Sequence, residues 1–196
     1  AIINCIGLSD PAKIIEVNNS ILEITEKYDS MILDYLKEHT LVNYVNFSSG
    51  AVYGGNFISA VNDSTKIKTP NHKISPYALS KIKAEIKHRK LKNFNIIDVR
   101  LFSFFSRFMD INTKFLISEI VSSIKYNKKF VTNKIDIFRD YINPKDLFNF
   151  LKICINLNSN CALDAYSKEV ISKFSLLKYL EEHFNLKYEI KENYIT

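Results

Sequence analysis

The sequence predicts an α/β protein built on a parallel β-sheet, because short apolar segments alternate with long helical ones. Three apolar segments, at residues 1–7, 41–47 and 95–102, have the length and composition of buried strands. Helical segments at residues 10–39 and 77–90 separate them. Strands that alternate with helices in this way form parallel βαβ units, so we expect one sheet with helices packed on it.

In the first half of the chain, residues that start or end strands and helices mark the bounds of these elements. Gly7 ends the first strand, and Asp10-Pro11 begins the first helix. The second strand is broken by Ser48-Ser49-Gly50, and residues 65–76 read as a polar loop before the next helix. The apolar positions that predict the first helix are Ile14, Val17, Ile21, Ile24, Tyr28, Ile32 and Leu36.

The second half continues the alternation with shorter segments. The start of the helix at residues 144–157 is marked by Asn143-Pro144, since proline is favoured in a first helical turn. We divide the chain into a sheet domain, residues 1–105, and a smaller lobe, residues 106–196, which returns a strand at about 161–166 to the sheet. The other predicted elements are helices at 112–125 and 172–183 and extended segments at 130–138.

Length and composition indicate a soluble globular protein. The 196 residues are 46% hydrophobic and 24% charged, which suits one well-formed core and argues against disorder. No apolar run approaches the roughly 20 residues of a membrane span, and no secretory leader is visible. We therefore expect a cytoplasmic protein that does not engage a membrane.

Cysteine usage and charge exclude several classes of site. Cys5, Cys154 and Cys161 lack the close spacing of metal or redox motifs, so we expect buried free thiols and no metal site. The net charge of +6 is spread along the chain without a basic stripe, which argues against a nucleic-acid partner. A moderately positive surface favours an anionic substrate.

Ligands of parallel α/β sheets bind beyond the carboxyl ends of the strands. The residues to inspect are therefore 7–10, 48–54 and 102–106, which follow the three predicted strands. The second of these segments combines hydroxyl side chains with glycines, which allow close approach of the backbone to a ligand.

Tyr77 and Lys81 stand four residues apart in a predicted helix. This spacing places both side chains on one helix face, with Cβ atoms about 5–6 Å apart. An ammonium beside a phenol favours the phenolate, so we expect Lys81 to lower the pKa of Tyr77 and prepare it for proton exchange with a substrate oxygen. Alone the pair is weak evidence, because the chain has 11 tyrosines and many lysines.

Two further segments accompany this pair in a fixed order. Taken alone, Ser48 and Ser49 suit a strand-end cap, and Arg139-Asp140 suits a surface ion pair. Taken together with the tyrosine and lysine, they resemble the extended short-chain dehydrogenase/reductases, the NAD-dependent epimerase/dehydratase family that modifies nucleotide sugars. The residues that carry the resemblance are 49–54 (SGAVYG), 75–81 (SPYALSK) with Glu85, and 139–142 (RDYI) with Asp146.

The resemblance implies a Rossmann-type sheet that begins at the family's fourth strand, here residues 1–7, and a small α/β substrate-binding lobe. It implies an NAD(P)-dependent oxidoreductase or epimerase acting on a nucleotide-diphosphate sugar in cell-surface polysaccharide synthesis. It also implies a homodimer formed through the helices at about 10–39 and 77–90.

The resemblance assigns roles to individual residues. Tyr77 would be the general acid/base, Lys81 would hold the nicotinamide ribose, and Ser49 would bind the reacting sugar oxygen. Arg139 would contact the nucleotide phosphates, which match a forked guanidinium. The catalytic set is Ser49, Tyr77 and Lys81; the cofactor set is Ile6, Gly7, Tyr77, Lys81 and Phe102; the substrate set is Ser49, Tyr53, Ser103 and Arg139.

The sequence departs from the family pattern in three places. It has 4 glycines and no G-x-x-G-x-x-G segment for a pyrophosphate, so we expect either a fragment or a shortened gene product, and full NAD or NADP binding would need the missing N-terminal strands. Ser103 stands where many members have an asparagine that contacts the substrate diphosphate. Gly50 and Ala51 replace the Asp-Glu pair of dehydratases, which leaves 4-keto reduction or 4-epimerisation, with reduction preferred.

A non-catalytic alternative stays open. A relic of the family would keep the fold and act as a sugar-nucleotide binding or dimerisation module. Cofactor binding by the chain separates this alternative from an enzyme.

Overall fold

The computed structural model describes residues 1–8, 10–17, 20–54, 61, 64–68 and 74–192, in two compact units. The first unit holds the described residues up to Phe102, except 10–12, together with Lys145–Ala165. The second holds residues 10–12, Ser103–Pro144 and the described residues from Tyr166 onward.

Strands and helices alternate along the described chain, with a short 3-10 turn at Gly50–Tyr53 after the second strand. The helices are α1 Pro11–Val17, α2 Ser20–Glu38, α3 Pro76–Lys90, α4 Leu116–Lys125, α5 Pro144–Cys154 and α6 Lys173–Phe184. The strands are β1 Ile2–Asn4, β2 Tyr44–Ser49, β3 Ile96–Leu101, β4 Lys129–Thr132, β5 Phe138–Arg139, β6 Asn160–Ala165, β7 Ile171–Ser172 and β8 Lys187–Ile190.

The first unit is built on a four-stranded sheet in the order β1-β2-β3-β6, in which all neighbours are parallel. The predicted α/β class with a parallel sheet is therefore confirmed. Its core includes Leu33 and Leu36 of α2 packed on Tyr44 and Ile96 of the sheet. Burial of this apolar surface, at about 25 cal/mol for each Å², fixes the helix on the sheet.

Two strands differ from the sequence prediction at their ends. The first strand pairs only over Ile2–Asn4, because the Asn4 side chain accepts a hydrogen bond from the Ile6 backbone N–H and turns the chain. The second extends through the two serines, since Ser48 and Ser49 pair with Arg100 and Leu101 of β3. The serines thus end a strand that was predicted to stop before them.

The helical segment predicted at residues 10–39 contains α1 and α2, with residues 18 and 19 between them outside the described part. Of the predicted loop at 65–76, residues 69–73 also lie outside it. The helix predicted at 77–90 is α3, which Ser75 caps by accepting a hydrogen bond from the Ala78 N–H at 3.2 Å.

The second unit has its own core. Two small sheets, the parallel pair β4-β8 and the antiparallel pair β5-β7, accompany α4 and α6. Ile120 of α4 and Leu177 of α6 are fully buried against Phe130 and Leu186. The unit therefore holds its elements together without help from the large sheet.

The three thiols are free, but only Cys154 is buried as predicted, since Cys161 is partly buried and Cys5 is exposed. Cys5 is exposed, because it follows an edge strand and lies beyond the paired residues. Cys154 is buried, and burial raises the pKa of its thiol to about 11. Among the residues that the structure describes, no helix combines the length and the apolar character needed to cross a membrane.

Candidate functional site

Ser49 lies at the carboxyl end of β2, in the centre of the sheet. Its side chain is almost fully buried and caps the following 3-10 turn by accepting a hydrogen bond from the Ala51 N–H at 3.2 Å. The strand and the cap together fix the Ser49 hydroxyl at the sheet edge where ligands of parallel sheets bind.

Tyr77 is the second residue of α3, and its phenol lies near the Ser49 side chain. Burial raises the pKa of Tyr77, and the hydrogen bond to Ser49 offsets part of the rise. The expectation that Lys81 lowers this pKa is not met. The physical reason is that the desolvation of the phenol dominates, while the ammonium lies 5.9 Å from the ring centroid and donates elsewhere.

Lys81 is a buried lysine, 6% exposed, one turn further along α3. Its ammonium donates to the Phe47 carbonyl oxygen of β2 at 2.8 Å. Burial lowers the pKa of Lys81, whereas the nearby carboxylates of Asp98, Asp29 and Glu85 favour its charged form.

Gly7 brings the end of the first strand to the same place. A Cβ atom added at Gly7 would lie 3.5 Å from Lys81 Nζ, an ordinary contact distance, so the backbone of this residue runs beside the ammonium. The structure thus brings together the predicted residues Gly7, Ser49, Tyr77 and Lys81.

Phe102 and Gly50 pack directly on each other. A Cβ atom at Gly50 would lie 2.5 Å from Phe102 Cδ1, closer than real Cβ contacts. The ring also stacks on Tyr53, with centroids 6.3 Å apart and planes 12° apart. Only glycine fits beneath this ring, a constraint that the sequence pattern did not reveal.

The Tyr53 hydroxyl is engaged inside the first unit. It donates to the Asp164 carboxylate at 2.9 Å and accepts a hydrogen bond from the Arg100 guanidinium. Burial and the hydrogen bond to Asp164 raise the pKa of Tyr53 to about 12. The prediction that Tyr53 binds substrate stays a prediction, and its hydroxyl already has protein partners.

Arg100 and Glu85 form a buried pair that sequence reasoning missed. Arg100 Nη2 donates to Glu85 Oε2 at 2.6 Å, and Ser48 Oγ donates to Glu85 Oε1 at 2.5 Å. The pair connects β3, α3 and the end of β2. The available signal was the charged pattern of β3 (IIDVRL), whose Asp98 and Arg100 interrupt an otherwise apolar strand.

Ser103 and Arg139 belong to the second unit. The Ser103 carbonyl accepts a hydrogen bond from the Ile142 N–H at 3.1 Å, and the Arg139 guanidinium donates to the Phe138 carbonyl at 3.0 Å. Asp140 accepts a hydrogen bond from the Ser167 N–H at 2.7 Å. The assignment of Ser103 and Arg139 to substrate binding stays a prediction.

Within the described ranges, no three His, Cys, Asp or Glu side chains come together as a set that could hold a metal ion. The groups at the site are hydroxyls, a phenol and an ammonium. They can transfer protons and bind polar ligands.

A family model, the NAD dependent epimerase/dehydratase family, matches residues 1–161. The chain belongs to this family. The predicted family resemblance is thereby confirmed, and residues that carried it, 49–54 and 75–81, lie within the matched range. Among curated proteins, none is significantly similar in sequence.

Solved structures share the fold at low identity. RMD from Pseudomonas aeruginosa, complexed with NADPH, has a TM-score of 0.79 at 17% identity over 99% of this chain and 67% of its own. The UDP-N-acetylglucosamine 4-epimerase of Methanobrevibacter ruminantium, complexed with UDP-N-acetylmuramic acid, has a TM-score of 0.82 at 18% identity, over 97% and 64%. The dTDP-glucose 4,6-dehydratase of Bacillus anthracis, complexed with NAD, has a TM-score of 0.80 at 15% identity, over 98% and 60%. This chain therefore spans 60–67% of the length of these three proteins.

Proposed function

We propose that this chain is the catalytic part of an NAD(P)-dependent enzyme that reduces a 4-keto group, or inverts C4, of a nucleotide-diphosphate sugar. The observation that carries the proposal is the convergence of Tyr77, the buried Lys81 ammonium 5.9 Å from the Tyr77 ring, and Ser49 at the end of β2. A phenol, a hydroxyl and an ammonium at the carboxyl edge of a parallel sheet suit proton transfer to a polar substrate.

The residues at this edge fit the ribose side of a nicotinamide cofactor. An ammonium has three N–H donors, and in the described part of the chain the Phe47 carbonyl accepts one of them from Lys81. The remaining donors suit ribose hydroxyls, with the backbone of Ile6 and Gly7 alongside and Phe102 near the nicotinamide. When bound, the nicotinamide supplies or accepts the hydride.

The fit does not extend to the pyrophosphate, because the sequence has no G-x-x-G-x-x-G segment. We therefore propose that full affinity for NAD or NADP needs further strands, joined to the edge of the sheet at β1.

A protonated Tyr77 phenol suits reduction of a ketone. A phenol at its ordinary pKa of 10.0 is already protonated at neutral pH, and burial raises the pKa of Tyr77 further, so it is ready to donate a proton to the oxygen that develops negative charge when a ketone accepts hydride. Ser49 would hold the same oxygen through its hydroxyl. Dehydration would need an acidic side chain at Gly50, where the Phe102 ring leaves no space for a Cβ atom.

Family membership and the exposed apolar side chains of α2 and α3 support the remaining parts of the proposal. We assign substrate binding to the lobe at residues 106–196, with Arg139 contacting phosphates, and place the reaction in polysaccharide synthesis in the cytoplasm. We also propose a homodimer through α2 and α3, because Met31 and Tyr35 of α2 and Ile86 of α3 expose apolar side chains. Exposed apolar groups on adjacent helices are typical of a subunit interface.

Calorimetric titration of NADH, NADPH and a panel of nucleotide-diphosphate sugars into the chain tests the proposal. The expected result is cofactor binding that is weakened by Lys81→Met and strengthened when the further strands are supplied. Absence of cofactor binding even when the further strands are supplied, with retained sugar-nucleotide binding, would instead support the non-catalytic binding module.

A further inference from the structure

A second buried polar network, centred on His88 of α3, lies in the first unit. The imidazole is fully buried, and both ring nitrogens face carboxylates. Nε2 lies 2.7 Å from Asp29 Oδ1 of α2, and Nδ1 lies 2.9 Å from Asp98 Oδ1 of β3. Both aspartates are themselves at most 2% exposed. One imidazole thus joins α3 to a second helix and to the sheet.

The imidazole carries a proton on each nitrogen, because a carboxylate oxygen only accepts hydrogen bonds. Burial by itself lowers the pKa of His88, but hydrogen bonds to the two aspartates outweigh burial and raise the pKa to about 9. Other donors also bind the two carboxylates. These donors are Asn46 and Arg89 on Asp98, and Tyr44 and Lys87 on Asp29.

From Asp29 the hydrogen bonds continue to the end of β1. The Tyr44 hydroxyl donates to Asp29 Oδ1 at 3.0 Å and accepts from Asn4 Nδ2 at 3.0 Å. Asn4 Oδ1 in turn accepts from the backbone N–H of Ile6 at 2.9 Å. A side-chain amide has one donor end and one acceptor end, so the direction of the Tyr44 hydroxyl sets the orientation of the Asn4 amide.

The backbone that Asn4 holds in this way is the segment beside the site. Gly7 runs next to Lys81 Nζ, and Lys81 and His88 lie seven residues apart on the same face of α3. We call this chain of hydrogen bonds, from His88 to the Ile6 backbone N–H, the relay. It begins on α3, passes through α2 and β2, and ends at the backbone segment beside Lys81 of α3.

We propose that His88 is a positioning residue that fixes the backbone of residues 4–7 beside the Lys81 ammonium. It acts through three hydrogen-bonded side chains, Asp29, Tyr44 and Asn4. The inference rests on the proposed function in one respect, namely that a cofactor binds beside residues 6–7.

The test follows the amide signals of Ile6 and the ring signals of His88 by NMR while the pH is raised through the pKa of the imidazole. In the unchanged chain we expect the Ile6 amide shift to titrate with the midpoint of His88. In Tyr44→Phe, which removes only the hydroxyl in the middle of the relay, we expect His88 to titrate and the Ile6 amide to stop following it. Tyr53→Phe is the matched control, because it removes a buried hydroxyl of the same unit outside the relay, and Ile6 should still follow.

An Ile6 amide that ignores the His88 titration in the unchanged chain would overturn the proposal. Equal coupling in Tyr44→Phe and the unchanged chain would overturn it too. A parallel NADH titration keeps the two proposals apart: coupled amide signals without NADH binding support the relay and count only against the proposed cofactor. No step depends on a variant of His88 itself, whose loss would take away the cation that two buried carboxylates share.

Discussion

The buried imidazole of His88 makes the stability of the first unit depend on pH in the alkaline range. Its pKa is raised from the ordinary value of 6.5 to about 9 in the folded chain. A raised pKa means that the stabilisation is fully present below 6.5 and is lost as the pH rises through about 9. At about 1.4 kcal/mol for each pH unit, the stabilisation amounts to about 3 kcal/mol.

The perturbation is His88→Gln, which keeps an amide donor but cannot carry charge. We expect this variant to lose about 3 kcal/mol of unfolding free energy near neutral pH. Removing one partner of a buried ion pair costs about 3–5 kcal/mol, so the expected loss lies at the lower end of that range. The deficit should shrink as the pH passes about 9, because the unchanged chain then loses its own imidazolium. Asp29 does not contribute to this change, since its pKa is lowered and its stabilisation is lost only in acid.

Denaturant unfolding at a series of pH values measures the deficit, and NMR titration of the ring protons measures the midpoint directly. His183→Gln is the control, because that imidazole is exposed on α6, where it hydrogen-bonds the Tyr179 carbonyl and stacks on the Tyr179 ring but faces no carboxylate in the described chain. A His88 midpoint at 6.5, or a deficit that does not change with pH, would refute the doubly protonated imidazole.

Three further predictions test the site and the proposed dimer. Tyr77→Phe should lower turnover of a 4-keto nucleotide sugar by about 10²–10⁴-fold, the usual contribution of a general acid, with unfolding unchanged; near-normal turnover would remove this phenol from its role. Gly50→Ala should cost about 1–3 kcal/mol of unfolding free energy by overpacking, whereas Gly7→Ala, where the added Cβ meets an ordinary contact, should not; equal costs would contradict the packing argument. Met31→Glu should shift a dimer to monomer in sedimentation, whereas Leu41→Glu, exposed outside the two helices, should leave it intact; unchanged association in both would place the interface elsewhere.

The fold was predictable from the sequence because its signals are local. The apolar run Ile96–Leu101, the proline at the start of α3 and the periodic apolar positions of α2 each mark an element without knowledge of its neighbours. Strand ends were less predictable. Whether Ser48 and Ser49 continue β2 depends on their pairing with β3, which local patterns do not encode.

The residues of the candidate site also differ in whether local sequence patterns predict their roles. Tyr77 and Lys81 were singled out by their four-residue spacing, and Ser49 by the family resemblance. The role of Gly50 was not predicted, since its requirement comes from the ring of Phe102, 52 positions further along the chain. The raised pKa of Tyr77 was also missed, because burial decides it and burial is a property of the packed structure.

The buried face of α3 unites these features. Tyr77, Lys81, Glu85 and His88 follow one another at intervals of four, four and three residues, so one helix face carries all four side chains. Lys81, Glu85 and His88 are at most 6% exposed, and each has a directional partner on the sheet or on α2. Apolar contacts tolerate small rotations of a helix, whereas buried charged groups lose their partners when the helix turns. Breaking one buried ion pair costs about 3–5 kcal/mol. A helix held by ionic contacts therefore keeps a single rotation about its axis, and this rotation places the Tyr77 hydroxyl against Ser49 and the Lys81 ammonium against Gly7.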